Sequence, residues 1–377
     1  MLHDDGPEVL GCGADLKNTF TLTKGRFAIT SQHIGDIENY ETLKFYEECL
    51  ANLKTIFRVK PVAIAHDLHP GYRSTQWAVD YSTLHTPPSA FKRFPIQHHY
   101  AHIGSVMAEH GLTQKIIGVA FDGTGYGTDG NLWGGEFLVA DLDGFERAGQ
   151  LKYLPLPGGE AAIREPWRTA VSYLVDAEGE RVNSVFKEIG FMEKYGKDTL
   201  DKIMAIARSR DFSPLSSGAG RLFDAVSAIL GLCDRNTFEG EAAMALESLT
   251  REDVPDQYVV EIKQGKSYTV VDYFPTIHGV VRDLSGGVSK DVIATKFHNT
   301  VAGTIMTIVR KIREQTGIAD VALSGGAFQN LYLLNRLSLM LGRDGLNVYT
   351  NHTIPCNDAC VSLGQAYLVR EKLKRQR

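Results

Sequence analysis

Apolar and polar positions alternate along residues 8–35, on either side of a turn at Lys24-Gly25, and predict a β-hairpin near the N-terminus. The period then changes. Leu43, Tyr46, Leu50, Leu53 and Phe57 recur at helical spacing and predict an amphipathic helix. "PVAIAHD" reads as a short buried strand, "LHPGYRSTQWAVDY" as a turn running into a helix, and residues 98–111 as a helix closed by its glycine. From residue 116 the pattern begins again. "KIIGVAFDGTGYG", "NLWGGEFLVADL" and "FERAGQLKYL" predict three antiparallel strands. Both openings consist of an apolar strand, a carboxylate (Asp15, then Asp122) and a turn of small or polar residues. This weak repeat predicts two related α/β lobes, residues 1–113 and 114–377, with a ligand in the cleft between them.

Residues 155–284 read as a mainly helical insertion in the second lobe, broken by one strand-like stretch at "QYVVEIKQGKSYTVVDY". Ile293, Phe297, Val301, Ile305, Ile308 and Ile312 then stripe one face of a long helix. "IADVALSGGAFQNLYLLNRL" follows as strand, Ser-Gly-Gly turn and helix. "LNVYT" is a strand, "NHTIPCNDAC" a loop and "VSLGQAYLVREKLK" the last helix.

Composition mainly excludes. Of 377 residues, 43% are hydrophobic and 23% charged, ordinary for a globular chain long enough for two cores. No apolar run approaches a membrane span, and "MLHDDGPEVLG" has neither the basic nor the apolar region of a signal peptide. A net charge of −5, with no basic stripe beyond "REKLKRQR", argues against a general nucleic-acid surface. Five scattered cysteines without a CxxC pair predict no disulfide framework and suit a reducing, cytoplasmic location.

His98 and His102 carry the sharpest chemical signal. Imidazoles at i and i+4 project from one helix face and can chelate one metal ion, although polar residues at a helix start are also met by backbone or solvent. Asp122, and Asp358 before the last helix, are candidate carboxylates for the same ion. A His2Asp2 set suits iron, zinc or manganese. His99 lies about 100° around the helix and is placed to hydrogen-bond or meet substrate. Ser324, Gly325 and Gly326 link a strand to a helix, either as an anion-binding turn or as a tight connection. Asn330, one turn on, suits a base edge or a helix cap. Asp224, on a glycine-bounded helix, and Glu241, where a second helix begins, could bind ribose hydroxyls, or be helix-start or solvent-facing residues. Arg164 and Arg168 could clamp a carboxylate, carbamoyl or phosphate group, or lie on the surface.

Taken in order, "GADLKNTF", "HDLHPGYRST", "QHHYAH", "DGTGYGTDGNLWGGEF", "IREPWR", "GAGRLFDAVSAILGL", "EGEAAMALE", "LSGGAFQN" and "PCNDACVSLGQA" make the chain resemble the C-terminal carbamoyltransferase region of the HypF hydrogenase-maturation proteins. More distantly it is similar to tRNA threonylcarbamoyladenosine synthases and antibiotic O-carbamoyltransferases. The resemblance implies an actin/hexokinase/Hsp70-like fold, a duplicated ribonuclease H-like α/β unit. It implies metal ligation by His98, His102, Asp122 and Asp358, and phosphate and adenine along Ser324–Gly326 and Asn330. Asp224 and Glu241 would meet ribose, and Lys17 and Arg164 the carbamoyl or phosphate end. Tyr100 departs from the pattern, standing where many relatives carry another histidine.

The implied reaction moves a carbamoyl group from carbamoyladenylate, itself made with ATP, to the C-terminal cysteine of a HypE-type partner, releasing AMP. The implied metal is iron or zinc, with magnesium an option beside the nucleotide. Family members carry acylphosphatase-like, zinc-finger and adenylate-forming domains upstream, and these 377 residues contain none. The chain is therefore expected not to make carbamoyladenylate unaided. O-carbamoyl transfer, threonylcarbamoyl transfer, or a non-enzymatic nucleotide-dependent binding role are the alternatives within the fold.

Overall fold

A computed structural model of the chain describes residues 1–84, 92–265 and 267–376. The first half is built from β1 (Val9–Gly11), β2 (Thr21–Lys24), β3 (Phe27–Thr30), α1 (Tyr40–Phe57), β4 (Ala63–Asp67), α2 (Arg73–Leu84), β5 (Lys92–Ile96) and α3 (His98–His110). Its sheet runs β3-β2-β1-β4-β5, antiparallel across the hairpins and parallel across β1-β4-β5. The second half repeats this order. β6 (Ile116–Tyr126), β7 (Leu132–Ala140) and β8 (Phe145–Leu151) form the antiparallel meander.

Between β8 and the remaining core strands comes a long insertion. It comprises β9 (Leu154–Pro155), α4 (Glu160–Arg164), α5 (Pro166–Glu178), α6 (Val182–Glu188), α7 (Phe191–Tyr195), α8 (Lys197–Arg208), β10 (Leu215–Ser216), α9 (Ala219–Ile229), α10 (Glu241–Glu247), β11 (Glu261–Gln264), β12 (Thr269–Asp272) and α11 (Phe274–Ser285). Then follow α12 (Lys290–Thr316), β13 (Asp320–Ser324), α13 (Leu331–Arg343), β14 (Asn347–Thr350) and α14 (Val361–Arg375). The core order β8-β7-β6-β13-β14 has the same senses as the first sheet, and β12 and β11 extend its edge. The duplicated α/β unit is thus present twice, with the helical insertion in the second copy.

Alternation along the strands sets the layers. On β6, Ile117, Val119 and Phe121 enter the large core beneath α9 and α12, while Ile116 and Ala120 face α3. On the first sheet, Leu10, Leu22 and Ile64 pack with Tyr46, Leu50 and Trp77 of α1 and α2. The opposite face, Val9, Ala63 and Ala65, packs on Val369 and Leu373 of α14. Each half therefore lends its last helix to the middle: α3 lies on the second sheet, α14 on the first, and the two pack on each other. Glycines permit that approach. A Cβ at Gly364 would overlap the Ala101 carbonyl, and one at Gly104 would lie 2.8 Å from the Leu368 side chain. Among the described residues, no helix is long and apolar enough to cross a membrane.

Candidate metal centre and nucleotide cleft

The α3–α14 layer positions the metal candidates. Gln97 caps α3, its side chain accepting from the Tyr100 N–H, so His98 falls in the first turn and His102 one turn on. Asp122 lies where β6–β7 pairing skips from Phe121↔Gly135 to Gly125↔Trp133, a bulge that turns its carboxylate out of the ladder. Asp358 opens the single turn leading into α14. His98 Nε2 is 3.4 Å from Asp122 Oδ2 and 3.5 Å from Asp358 Oδ1. His102 Nε2 is 3.6 Å from both oxygens.

All four donor atoms fall within 4.8 Å of one another. Donors about 2.0–2.1 Å from a tetrahedral ion stand about 3.3 Å apart, so this spacing matches a shared cation. Both Nε2 atoms are buried without a hydrogen-bond partner, as expected of lone pairs reserved for a metal. The set therefore fits a bound metal ion.

Electrostatics favour a cation there. Burial disfavours charge on His98, but Asp358, Asp67 and Asp122 outweigh it and hold its pKa well above the usual value. Burial opposes charge on His102 too, and Cys360, Asp122 and Asp358 outweigh it. Burial would raise the Asp122 carboxyl, yet the two imidazoles hold it well below the usual carboxylate range. His99 behaves oppositely: burial, then neighbouring His98, pushes it well below its usual value, so it stays neutral.

Asp67, which the sequence reading did not single out, completes the site. Its Oδ2 lies 2.8 Å from His98 Nδ1 and both side chains are fully buried. A carboxylate behind a metal-facing histidine fixes the tautomer and ring orientation. His102 Nδ1 is similarly backed by Cys360 Sγ at 3.2 Å and Ser324 Oγ at 3.4 Å. The signal for Asp67 is faint but present: like Asp122, it comes after a run of buried apolar strand residues.

A cavity of about 360 Å³ opens beside the tetrad and shares Asp122 with it. Lys17, Arg221, Asp224, Glu239, Glu247 and Asn330 give its wall most of its polarity, and Gly326 brings backbone to its surface. That volume lies within the usual range for ligand pockets. Lys17 holds a left-handed backbone with φ of 45° and pairs with Glu239 across the cavity. Such a conformation in a non-glycine residue is uncommon outside constrained sites. Buried Asp224 has Oδ2 2.8 Å from Arg221 Nη2, and burial raises its pKa despite that cation.

Several expected contacts sit elsewhere. Ser324 is buried beneath the tetrad, its Oγ 2.8 Å from Asn351 Oδ1, because it ends β13 on the face turned to α3 rather than to the cavity. Gly325 has φ of 106°, and a Cβ there would overlap the Phe121 carbonyl, so close strand packing by itself demands this glycine. Asn330 lines the cavity, but its amide is already engaged: Oδ1 caps α13 at the Leu333 N–H, and Nδ2 lies 2.8 Å from His298 Nε2.

Glu241 accepts from the Thr237 hydroxyl and is not on the cavity wall, whereas Glu239 and Glu247 are. Arg164 is largely exposed, 3.5 Å from Glu160 and likewise off the cavity wall. His99 is fully buried, with Nδ1 3.0 Å from Gln97 Nε2 and Nε2 unpartnered.

Comparison with known proteins gives this geometry its context. A family described as "HypF Kae1-like domain" matches residues 4–109, and one described as "Carbamoyltransferase, Kae1-like Domain, second subdomain" matches residues 118–365. Carbamoyltransferase HypF of Synechocystis sp. is 35% identical over 371 residues, 95% of this chain and 46% of that protein. A carbamoyltransferase HypF homolog of Cupriavidus necator is 33% identical over 374 residues, 97% of this chain and 92% of that protein. Full-length HypF in a phosphate- and nucleotide-bound form superposes with a TM-score of 0.92 at 43% identity, over 99% of this chain and 48% of that one. T. kodakarensis HypF gives a TM-score of 0.87 at 30% identity, over 99% and 49%. The C. necator homolog apart, the chain spans about half the length of these relatives.

Proposed function

Since the chain belongs to the HypF carbamoyltransferase family, in its Kae1-like region, we propose that it performs the transfer half of that chemistry. It takes carbamoyladenylate and delivers the carbamoyl group to the C-terminal cysteine thiolate of a hydrogenase-maturation partner of the HypE type, in the cytoplasm. The observation that carries this reading is the buried His98, His102, Asp122, Asp358 tetrad, which shares Asp122 with the cavity.

A bound zinc or iron ion would supply Lewis-acid stabilisation of charge on a carbamoyl or phosphate oxygen. The chain's own groups do the rest. Asp224, with Glu239 and Glu247, offers carboxylates for ribose hydroxyls. Lys17 exchanges its ion pair with Glu239 for the anionic end of the adenylate. Gly326, whose N–H lies 3.2 Å from Asp122 Oδ1, holds that carboxylate in place. Sulfur bonds to the carbamoyl carbon, the carbon–oxygen bond to AMP breaks, and AMP leaves with the electron pair. No covalent enzyme intermediate is required, so catalysis is positioning and charge stabilisation.

The direct test is incubation of the metal-loaded chain with synthetic carbamoyladenylate and a partner ending in cysteine, read by intact mass of the partner. One added carbamoyl group, lost when the partner's cysteine is replaced by serine, is the expected result. An unmodified partner refutes the proposal.

A further inference from the structure

The motif "HDLHPGYRST" contains more than Asp67. The loop from β4 into α2 carries His69 and Tyr72, whose rings stack at 4.2 Å with 16° between planes. The edge of Tyr126 meets His69 at 5.3 Å. Neighbours fix the loop: the His69 N–H donates to Asp67 Oδ1 at 2.9 Å, and the Arg73 and Ser74 N–H groups donate to the two oxygens of Asp15.

The same Asp67 carboxylate thus holds His98 through one oxygen and His69 through the other. Tyr72 packs against the small cluster of Ala14, Ala101 and Val361, of which Ala101 lies between His98 and His102 on α3. None of His69, Tyr72 and Tyr126 lines the nucleotide cavity. His69 and Tyr72 come from the first sheet's side, behind Asp67 and His98, and Tyr126 ends β6 of the second.

The polar tips of these rings have no assigned work. His69 Nδ1 accepts from the Gly71 N–H at 3.1 Å, which leaves the ring proton on Nε2. Neither that N–H nor the Tyr72 hydroxyl has a hydrogen-bond partner among the described residues, and both side chains are only partly covered. Burial, despite the opposing carboxylates of Asp67 and Asp15, keeps the His69 pKa below its usual value, so the imidazole is a neutral donor. Stacked rings also offer a face to sulfur.

We propose that His69 and Tyr72 form the acceptor-thiol subsite, positioning the attacking sulfur beside the tetrad on the side away from the nucleotide. This rests on the carbamoyl-transfer reading above. The thiol proton leaves to solvent, His69 Nε2–H and the Tyr72 hydroxyl hold the thiolate by hydrogen bonds, and the sulfur attacks the carbamoyl carbon with loss of AMP. The thiolate, not the thiol, is the nucleophile, and the two neutral donors would fix its position for attack.

The test measures transfer from carbamoyladenylate to a cysteine-terminated partner by wild type, His69→Ala, His69→Gln and Tyr72→Phe. KM for the acceptor, KM for the adenylate and metal content are compared. His69→Ala and Tyr72→Phe are expected to raise acceptor KM by about tenfold, a typical effect of losing one oriented hydrogen bond. Metal content and adenylate KM should stay within about twofold, and His69→Gln, which keeps an N–H donor, should recover part of the loss. Unchanged acceptor KM, or an equal rise in adenylate KM, overturns the subsite while wild-type transfer still supports the parent reading. If wild type transfers nothing, the parent reading fails and the subsite with it.

Discussion

Replacing Asp67 by Asn tests whether the tetrad is a metal centre held from behind. Asp67 and His98 are both fully buried and 2.8 Å apart, so solvent does not screen the pair. The amide of Asn can still accept one hydrogen bond from the imidazole but carries no charge, and it cannot serve His98 and the His69 N–H equally well. Outer-shell substitutions of this kind cost roughly 10–100-fold in metal affinity, or about 1.4–2.7 kcal/mol. Keeping one hydrogen bond puts Asp67→Asn near the tenfold end. Asp67→Ala, which leaves Nδ1 unpaired, belongs near the hundredfold end. The assay is competition for zinc or ferrous iron against a chromophoric chelator, with circular dichroism confirming the fold. Wild-type affinity in both variants would refute the reasoning, because a metal-facing imidazole without its orienting carboxylate cannot bind as well.

Gly364→Ala should destabilise the protein by about 2 kcal/mol or more, since α14 must move off the Ala101 carbonyl, and metal should be lost in parallel; a thermal melt with metal analysis checks both. Gly325→Val should lower global stability rather than nucleotide affinity alone, because its Cβ meets the Phe121 backbone; urea melts beside nucleotide titration separate the two. Asp358→Ala should abolish transfer and metal retention while adenine-nucleotide affinity falls less, because Asp358 is not on the cavity wall; calorimetry measures the affinity. Burial holds His298 at about 4, so the unfolded chain protonates first. The His298 contribution to stability should fall from about pH 6.5 towards 4, by up to about 3 kcal/mol, and level off below. His298→Gln should flatten that part of a pH series of denaturant midpoints.

The sequence by itself determined the elements and much of the chemistry. Period-2 and period-3.6 patterns act through neighbouring residues, so the hairpins, α1, α3 and α12 were legible, and so was the restart at residue 116. The i, i+4 spacing of His98 and His102 is likewise local. Tertiary structure decided what meets what. Asp358 reaches the histidines only because α14 returns to pack between α3 and the first sheet, a contact spanning more than 250 residues that no local pattern encodes. The same return joins the two halves through exchanged last helices, which a break in the pattern near residue 113 does not reveal. Ser324, Gly325 and Glu241 look like ligand contacts in a linear motif, and the structure adds partners that the motif does not show: Asn351, the Phe121 carbonyl and Thr237. Asp67 lies in the motif "HDLHPGYRST", but nothing local to it marks that carboxylate. Its role follows from the parallel pairing of β4 with β5, which runs through Asp67↔Ile96 and sets that carboxylate beside the start of α3. Spacing along the chain fixes the face a side chain occupies; the face opposite belongs to a distant segment, and only packing selects it.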